Sequence, residues 1–183
     1  MTNITEVLQN WSHQSHDERG AVIASLYEEL RRKASAHLQH EQDGHLQPTV
    51  LVNETYLRLV NISRIDLQGR EHFFGLAGRI MREVLVDEAR RRRSQKRNHS
   101  LQTRFTGDFA ANEVPVADLL ELDELLRGLE AIDPLYAQLF EARAFAGMTV
   151  DEAARLLDIS TATVKRKWRV AVAWLQEHAD TAS

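Results

Sequence analysis

Apolar residues recur along most of this chain with the period of a helix. Between residues 17 and 40, Val22, Leu26, Leu30 and Ala34 return every fourth position, which predicts one amphipathic helix with a stripe toward a core. The polar run around Gly44 ends that pattern. Pro48 stands where the first turn of a helix tolerates a missing N–H, and the helix it opens places Leu51, Val52, Thr55, Leu59 and Val60 on one buried side. A polar connector follows over 61–70. A long helix is then predicted over 71–92, with Phe73, Ala77, Ile80 and Val84 in one inward row and Phe74, Met81 and Leu85 in another. Near the start, Ile4, Val7 and Leu8 make a short amphipathic segment before Trp11, expected to pack on these helices.

Residues 94–116 differ in kind. They carry Ser, Thr, Asn, Gly and Pro without sustained apolar period, and read as a linker. Periodicity resumes with Leu119, Leu122, Leu126 and Leu129. Asp133 before Pro134 is an N-cap with proline at the first helical position, opening a helix expected to run through Ala144 to a break at Gly147. No strand-like alternation and no internal repeat is visible. The predicted class is all-α, with two small helical domains at 1–97 and 117–178 joined by a flexible linker at 98–116.

The second domain holds a recognisable unit. Thr149 and Glu152 form a capping box ahead of a short helix, Asp158 and Ile159 make a tight turn, and Ser160 caps a longer helix. That last helix buries Val164, Trp168, Ala171 and Leu175 while Lys165, Arg166 and Arg169 project outward; Ala153 supplies the small side chain that lets the two helices approach. This is a helix-turn-helix, whose second helix enters the major groove with its first half toward base edges.

Charge sharpens the picture. The 183-residue chain has a formal net charge of −4, yet residues 58–97 carry eleven basic against five acidic residues. Residues 160–176 carry four basic residues and no acid. Two positive islands in an acidic chain fit two contacts with a polyanion, or solvated helix faces. The absence of cysteine excludes disulfides, thiolate zinc sites and cysteine nucleophiles. The first residues lack a basic start and an apolar core, and no apolar run approaches the ~20 residues of a membrane helix, so a cytoplasmic chain without a membrane partner is expected.

Three motifs in order carry a family resemblance. Val84-Leu85-Val86-Asp87 and the arginine run from Arg90 to Arg93, reached by a helix beginning at Phe73-Phe74, resemble regions 2.3 and 2.4 of bacterial sigma factors. L-V-N-E-T-Y-L-R-L-V (51–60) resembles region 2.2, and T-V-K-R-K-W-R resembles region 4.2. With no region 1.1 and no folded region 3, the chain is similar to the extracytoplasmic-function (ECF) group of the sigma-70 family over residues 5–176.

The resemblance implies a promoter-specificity subunit of RNA polymerase, without catalysis or cofactor of its own. Val50, Asn53, Glu54, Leu57 and Arg58 would meet the β′ clamp helices of core polymerase, and the second domain the β flap. Arg82, Asp87, Arg90 and Arg91 would engage the opened −10 element, with the 61–70 connector cradling a flipped base. Thr161, Thr163, Lys165, Arg166 and Arg169 would read the −35 element of promoter DNA.

The chain departs from the family where region 2.2 opens. Acidic residues are usual at the positions of Gln47, Thr49 and Val50, and their loss should weaken docking on a basic clamp. The L-Q-P-T-x-L-V-x-E signature resembles a subgroup associated with Ser/Thr protein kinases. Phosphorylation of Thr49 would restore about −1.5 to −2 charge near a helix start, with Thr55 as the rival site. An anti-sigma partner is left open. Val170 stands where many relatives have arginine, and Arg166 where a small residue is common, so the −35 preference is not transferable.

Other chemistries find less support. His13 and His16, and His37 and His40 with Glu41 and His45, are spaced for a helix face but lack the remaining ligands of a zinc site, so no metal is expected. Adjacent carboxylates such as Glu28-Glu29 and Asp123-Glu124 diverge around a helix, and neither a phosphate-cradling glycine loop nor a nucleophile elbow is present. The remaining alternative is an autonomous helix-turn-helix transcription regulator. A compact resting form, with the domains packed together over the polymerase-binding face, is compatible with the alternating charge.

Overall fold

The computed structural model describes residues 4–37, 46–94, 102–103 and 117–179. Helix α1 (Ile4–Gln9) runs into a single 3₁₀ turn at Trp11–His13. Leu8 and Trp11 are fully buried, and the Trp11 indole N–H donates to the Ile62 carbonyl at 2.7 Å, tying the N-terminus to the far side of the first half. Helix α2 (His16–Ser25) opens with a capping box in which Ser15 and Glu18 satisfy each other's backbone N–H groups.

The long helix expected over 17–40 is two helices. Ser25 turns its hydroxyl onto the Val22 carbonyl at 2.6 Å, and the Leu26 N–H bonds Ile23 rather than the carbonyl four residues back. The ladder tightens there and α3 (Tyr27–His37) starts afresh. Leu26, Leu30 and Ala34 keep the expected stripe, whereas Ile23 and Arg19 are buried in place of Val22, which is only partly covered. The run around Gly44 lies outside the described residues.

Helix α4 (Pro48–Asn61) has proline at its first position and buries Leu51, Val52, Thr55, Leu59 and Val60, as periodicity demands. The Thr55 hydroxyl, deprived of water, donates to the Leu51 carbonyl at 2.7 Å. Helix α5 (Arg70–Ser94) buries both predicted rows, with Phe73 and Phe74 edge to face at 5.2 Å. Two residues of backbone, β1 (Gln102–Thr103) and β2 (Ala117–Asp118), pair antiparallel with Gln102 opposite Asp118. This ladder is a feature that alternation alone did not predict. The rest of the expected linker lies outside the described residues.

The second half follows as α6 (Leu119–Ile132), α7 (Pro134–Phe140), α8 (Val150–Leu157) and α9 (Thr161–Ala179). Asp133 caps α7 by accepting from the Leu135 N–H at 2.9 Å. The helix predicted through Ala144 changes character at Glu141, where residues Glu141–Phe145 adopt a wider π turn. The Ala146 N–H reaches back to the Glu141 carbonyl at 3.0 Å. Gly147 then takes a positive φ of 61°, which a side chain would resist.

Buried side chains from both halves belong to one apolar cluster with α5 at its centre. The halves approach so closely that a Cβ on Gly78 would lie 2.7 Å from the Ala146 Cβ and backbone nitrogen, and one on Gly75 would lie 3.0 Å from Leu156. Glycine at 78 removes a methyl that would otherwise press on the Ala146 backbone and hold the second half off.

Candidate nucleic-acid interface

Three surfaces hold the residues singled out from sequence. The first is the outer face of α4. Thr49, Val50, Asn53, Glu54 and Leu57 are all exposed there, opposite the buried row. Val50 is 44% and Leu57 50% accessible, a large exposure for apolar side chains two turns apart on one helix. Thr49 follows the N1 proline in a first turn that holds no acidic residue, and Gln47 gives no side-chain cap. Thr55 is fully buried. Arg58 leaves this face, with Nη2 2.9 Å from the Asp87 carboxylate and Nη1 3.7 Å from Glu83 on α5.

The second surface is the basic side of α5, and it is not free. Arg82 bonds Asp123 of α6 at 2.7 Å and also pairs with Glu141 in the π turn. Its side chain is only 15% accessible. Arg90 reaches the other Asp123 oxygen at 3.1 Å, and Arg127 meets the same oxygen at 3.0 Å. Asp123, 7% exposed, is therefore shared by three guanidinium groups. Burial pushes the Glu141 carboxyl above its ordinary range, against the pull of Arg82. Arg91 forks onto Glu88 with two 2.8 Å bonds, and Arg92, itself buried, meets the same carboxylate at 3.0 Å. Burial raises the Glu88 carboxyl, but the Arg91 and Arg92 bonds and charges outweigh it and leave a lowered pKa.

Sequence reading missed Asp123 and Glu141. Asp123 and Glu124 do diverge as adjacent helical residues must, one buried and one exposed. Two of the three partners of Asp123, Arg90 and Arg82, lie 33 and 41 positions away, a separation no local pattern reveals. Residues 98–159 carry four basic against twelve acidic residues, opposite in sign to 58–97, and that contrast was the available signal.

The third surface is the helix-turn-helix. Thr149 and Glu152 form the predicted capping box, Asp158 takes the left-handed conformation at φ 51°, and the Ser160 hydroxyl accepts from the Thr163 N–H at 3.2 Å. Val164, Trp168, Ala171 and Leu175 are buried, Trp168 stacking on Phe140 at 5.5 Å. Thr161, Lys165, Arg166 and Arg169 are exposed, with Val170 47% accessible among them. Thr163 is half-buried and its hydroxyl pairs with that of Ser160 at 2.9 Å. Lys167 turns away from this face to bond Asp133 at 2.8 Å, which holds the Asp133 carboxyl below its usual range. The exposed face is thus a set of cations on a rigidly buried helix, suited to phosphates and base edges.

Among the described residues, no three His, Asp or Glu side chains converge as metal ligands, and no helix is long and apolar enough to cross a membrane. His40, Glu41 and His45 lie outside them, and the side chain of His37 is not described. No curated protein and no solved structure matches the chain. The family model for ECF sigma factors matches residues 1–181. The chain accordingly belongs to the ECF sigma factors, a family whose members bind core RNA polymerase and promoter DNA to direct transcription initiation.

Proposed function

We propose that this sigma factor docks on core polymerase through the outer face of α4, with phosphorylation of Thr49 as the switch for docking. Residues 1–97 and 117–178 act as its two working domains, joined by 98–116. Val50, Asn53, Glu54 and Leu57, with Arg58 at the edge, meet the β′ clamp helices, while the second domain meets the β flap. Arg82, Asp87, Arg90 and Arg91 serve the −10 element, and Thr161, Thr163, Lys165, Arg166 and Arg169 the −35 element.

One observation carries the reading. Val50 and Leu57 expose apolar surface on a single helix face, with Thr49 exposed beside Val50 in a first turn lacking acid. Apolar surface rimmed by polar residues marks a protein contact. A phosphate at Thr49 would face the positive end of the α4 dipole and supply anionic charge that this turn lacks. Thr55, fully buried, is closed to a kinase in the folded chain.

The test is core polymerase binding by wild type, Thr49→Ala, Thr49→Glu and protein phosphorylated by a Ser/Thr kinase. Binding that is tight only when Thr49 is phosphorylated supports the switch. Equal binding by unphosphorylated wild type and Thr49→Ala removes the switch and keeps the docking face. Tight, sequence-specific duplex binding by the free chain would instead favour an autonomous regulator.

A further inference from the structure

Among the described residues, the large apolar side chains left exposed are Val50, Leu57, Ile132 and Val170. Val50 and Leu57 belong to the outer face of α4, which the second half leaves uncovered, contrary to the compact form the charge pattern allowed. Ile132 ends α6. Val170 differs from these in its company. An α-helix turns 100° per residue, which groups Val170 with Ala162, Arg166, Arg169 and Ala173, all exposed, on the side of α9 away from its buried row. Residues 160–176 hold no acid. An apolar protein partner would have to strip water from the flanking guanidinium groups to cover Val170. A nucleic acid offers those groups phosphates and base edges, so it can cover the valine while keeping the cations paired.

Base edges in the major groove differ in one apolar feature. Thymine carries a methyl at C5, where cytosine carries only hydrogen, and the remaining differences are hydrogen-bond donors and acceptors. A valine side chain offers no hydrogen bond, and its β-branching leaves one strongly preferred rotamer in a helix, so its methyls are in place before any contact forms. Val170 is the tenth of the nineteen residues of α9, at the close of the half that enters the groove. Arg166 stands one turn earlier, about 6 Å along the axis, which is about two base-pair steps of ~3.4 Å. Arginine on a base edge most commonly takes guanine, through O6 and N7.

We propose that Val170 is a specificity residue of the −35 surface and selects thymine through its C5 methyl, within about two base pairs of a guanine taken by Arg166. The inference rests on the reading of α9 as the −35 surface and deepens it by naming the base chemistry this chain selects. Covering one methyl corresponds to about a fourfold change in affinity. The contact therefore sets which sequence is preferred, while Lys165, Arg166 and Arg169 supply the charge that holds the duplex.

The test is selection from duplexes randomised across the −35 element, by the full chain alone and by its complex with core polymerase. Wild type should enrich thymine at one position, with guanine within two base pairs. Deoxyuridine in place of that thymine removes only the methyl and should weaken binding about fourfold. At the same position, 5-methylcytosine should bind about fourfold more tightly than cytosine. Val170→Ala, whose side chain falls short of the methyl, should lose both effects. Val170→Arg should exchange thymine for guanine at that position alone. Val170 is 47% accessible, so neither substitution opens the core.

Equal binding of the thymine and deoxyuridine duplexes by wild type overturns the proposal. A full methyl effect in Val170→Ala overturns it as well, as does continued selection of thymine by Val170→Arg. Thymine enriched without a guanine in reach overturns the role given to Arg166. Enrichment of no sequence by wild type, alone or with polymerase, would instead overturn the assignment of α9 to −35 DNA.

Discussion

Arg58 and Asp87 are bonded to each other. The Arg58 Nη2 lies 2.9 Å from an Asp87 oxygen, pinning the end of α4 to the last third of α5. Polymerase contact and −10 contact were expected of these residues separately, so each surface borrows its geometry from the other. Both side chains are more than a third exposed, which limits the pair to about 0.2–1 kcal/mol. A double-mutant cycle with Arg58→Ala and Asp87→Ala, followed by urea unfolding, should give coupling in that range, shrinking in high salt. A coupling of several kcal/mol would show that the pair is far better shielded than its exposure indicates.

Trp11→Phe should keep the ring packing and lose one hydrogen bond. The Ile62 carbonyl, which also accepts from Arg19 at 2.9 Å, would retain a partner. The expected destabilisation is therefore about 0.5–1.5 kcal/mol, read from the chemical denaturation midpoint. A much larger loss would mean that the indole does more than fasten the connector after α4.

Thr149→Ala removes one arm of the capping box that starts the helix-turn-helix. Its hydroxyl accepts the Glu152 N–H at 3.2 Å while Glu152 holds the Thr149 N–H at 2.8 Å. The change should cost about 1 kcal/mol. Hydrogen exchange should localise the loss to α8, and Thr149→Ser should restore most of the protection.

Glu71 and Arg155 link the halves with a pH-dependent contact. Burial alone would raise the Glu71 carboxyl, but the Arg155 hydrogen bond and charge, with that of Arg70, bring it below the ordinary value. A depressed folded-state pKa means that the stabilisation is present above the ordinary carboxylate pKa of about 4.3 and is lost as pH falls through the lower folded value. Glu71→Gln should remove this component from the acid side of the stability profile. An acid limb unchanged by the substitution would contradict it.

Arg166→Ala should weaken non-specific duplex binding by the polymerase complex and lower its salt dependence by about one unit of slope. Arg166 is exposed on α9 with its side chain on the same face as Lys165 and Arg169. Lys167→Ala should leave the slope alone, since Lys167 is committed to Asp133 and lies 4.3 Å from the Tyr136 ring.

The burial of α4, α5 and α9 was legible because one-sided helices write their packing into their period. Every residue of the predicted α4 row, Leu51 through Val60, is buried. The caps at Asp133, Thr149 and Ser160 were equally legible, since each depends on a local bond two or three residues long. The break before Tyr27 was hidden because Leu26 continues the stripe while Ser25 diverts the backbone. The closed seam was hidden for a different reason. Gly78 and Ala146 are unremarkable residues whose smallness matters only once they face each other. Asp123 shows the same limit, because two of its three partners, Arg82 and Arg90, come from another helix.

The π turn at Glu141–Phe145 carries one residue more than an α-helical path would use. Before it, Phe140 stacks on Trp168; within and just after it, Glu141 faces Arg82 and Ala146 fits against Gly78. Deleting a single residue there would narrow the wide turn to an α-helical one and remove the extra residue of spacing that sets Glu141 toward Arg82 and Ala146 against Gly78. Side chains in this stretch can be exchanged at ordinary packing cost, but its length fixes how Glu141 and Ala146 meet α5. Insertions and deletions should be purged from it more strictly than substitutions.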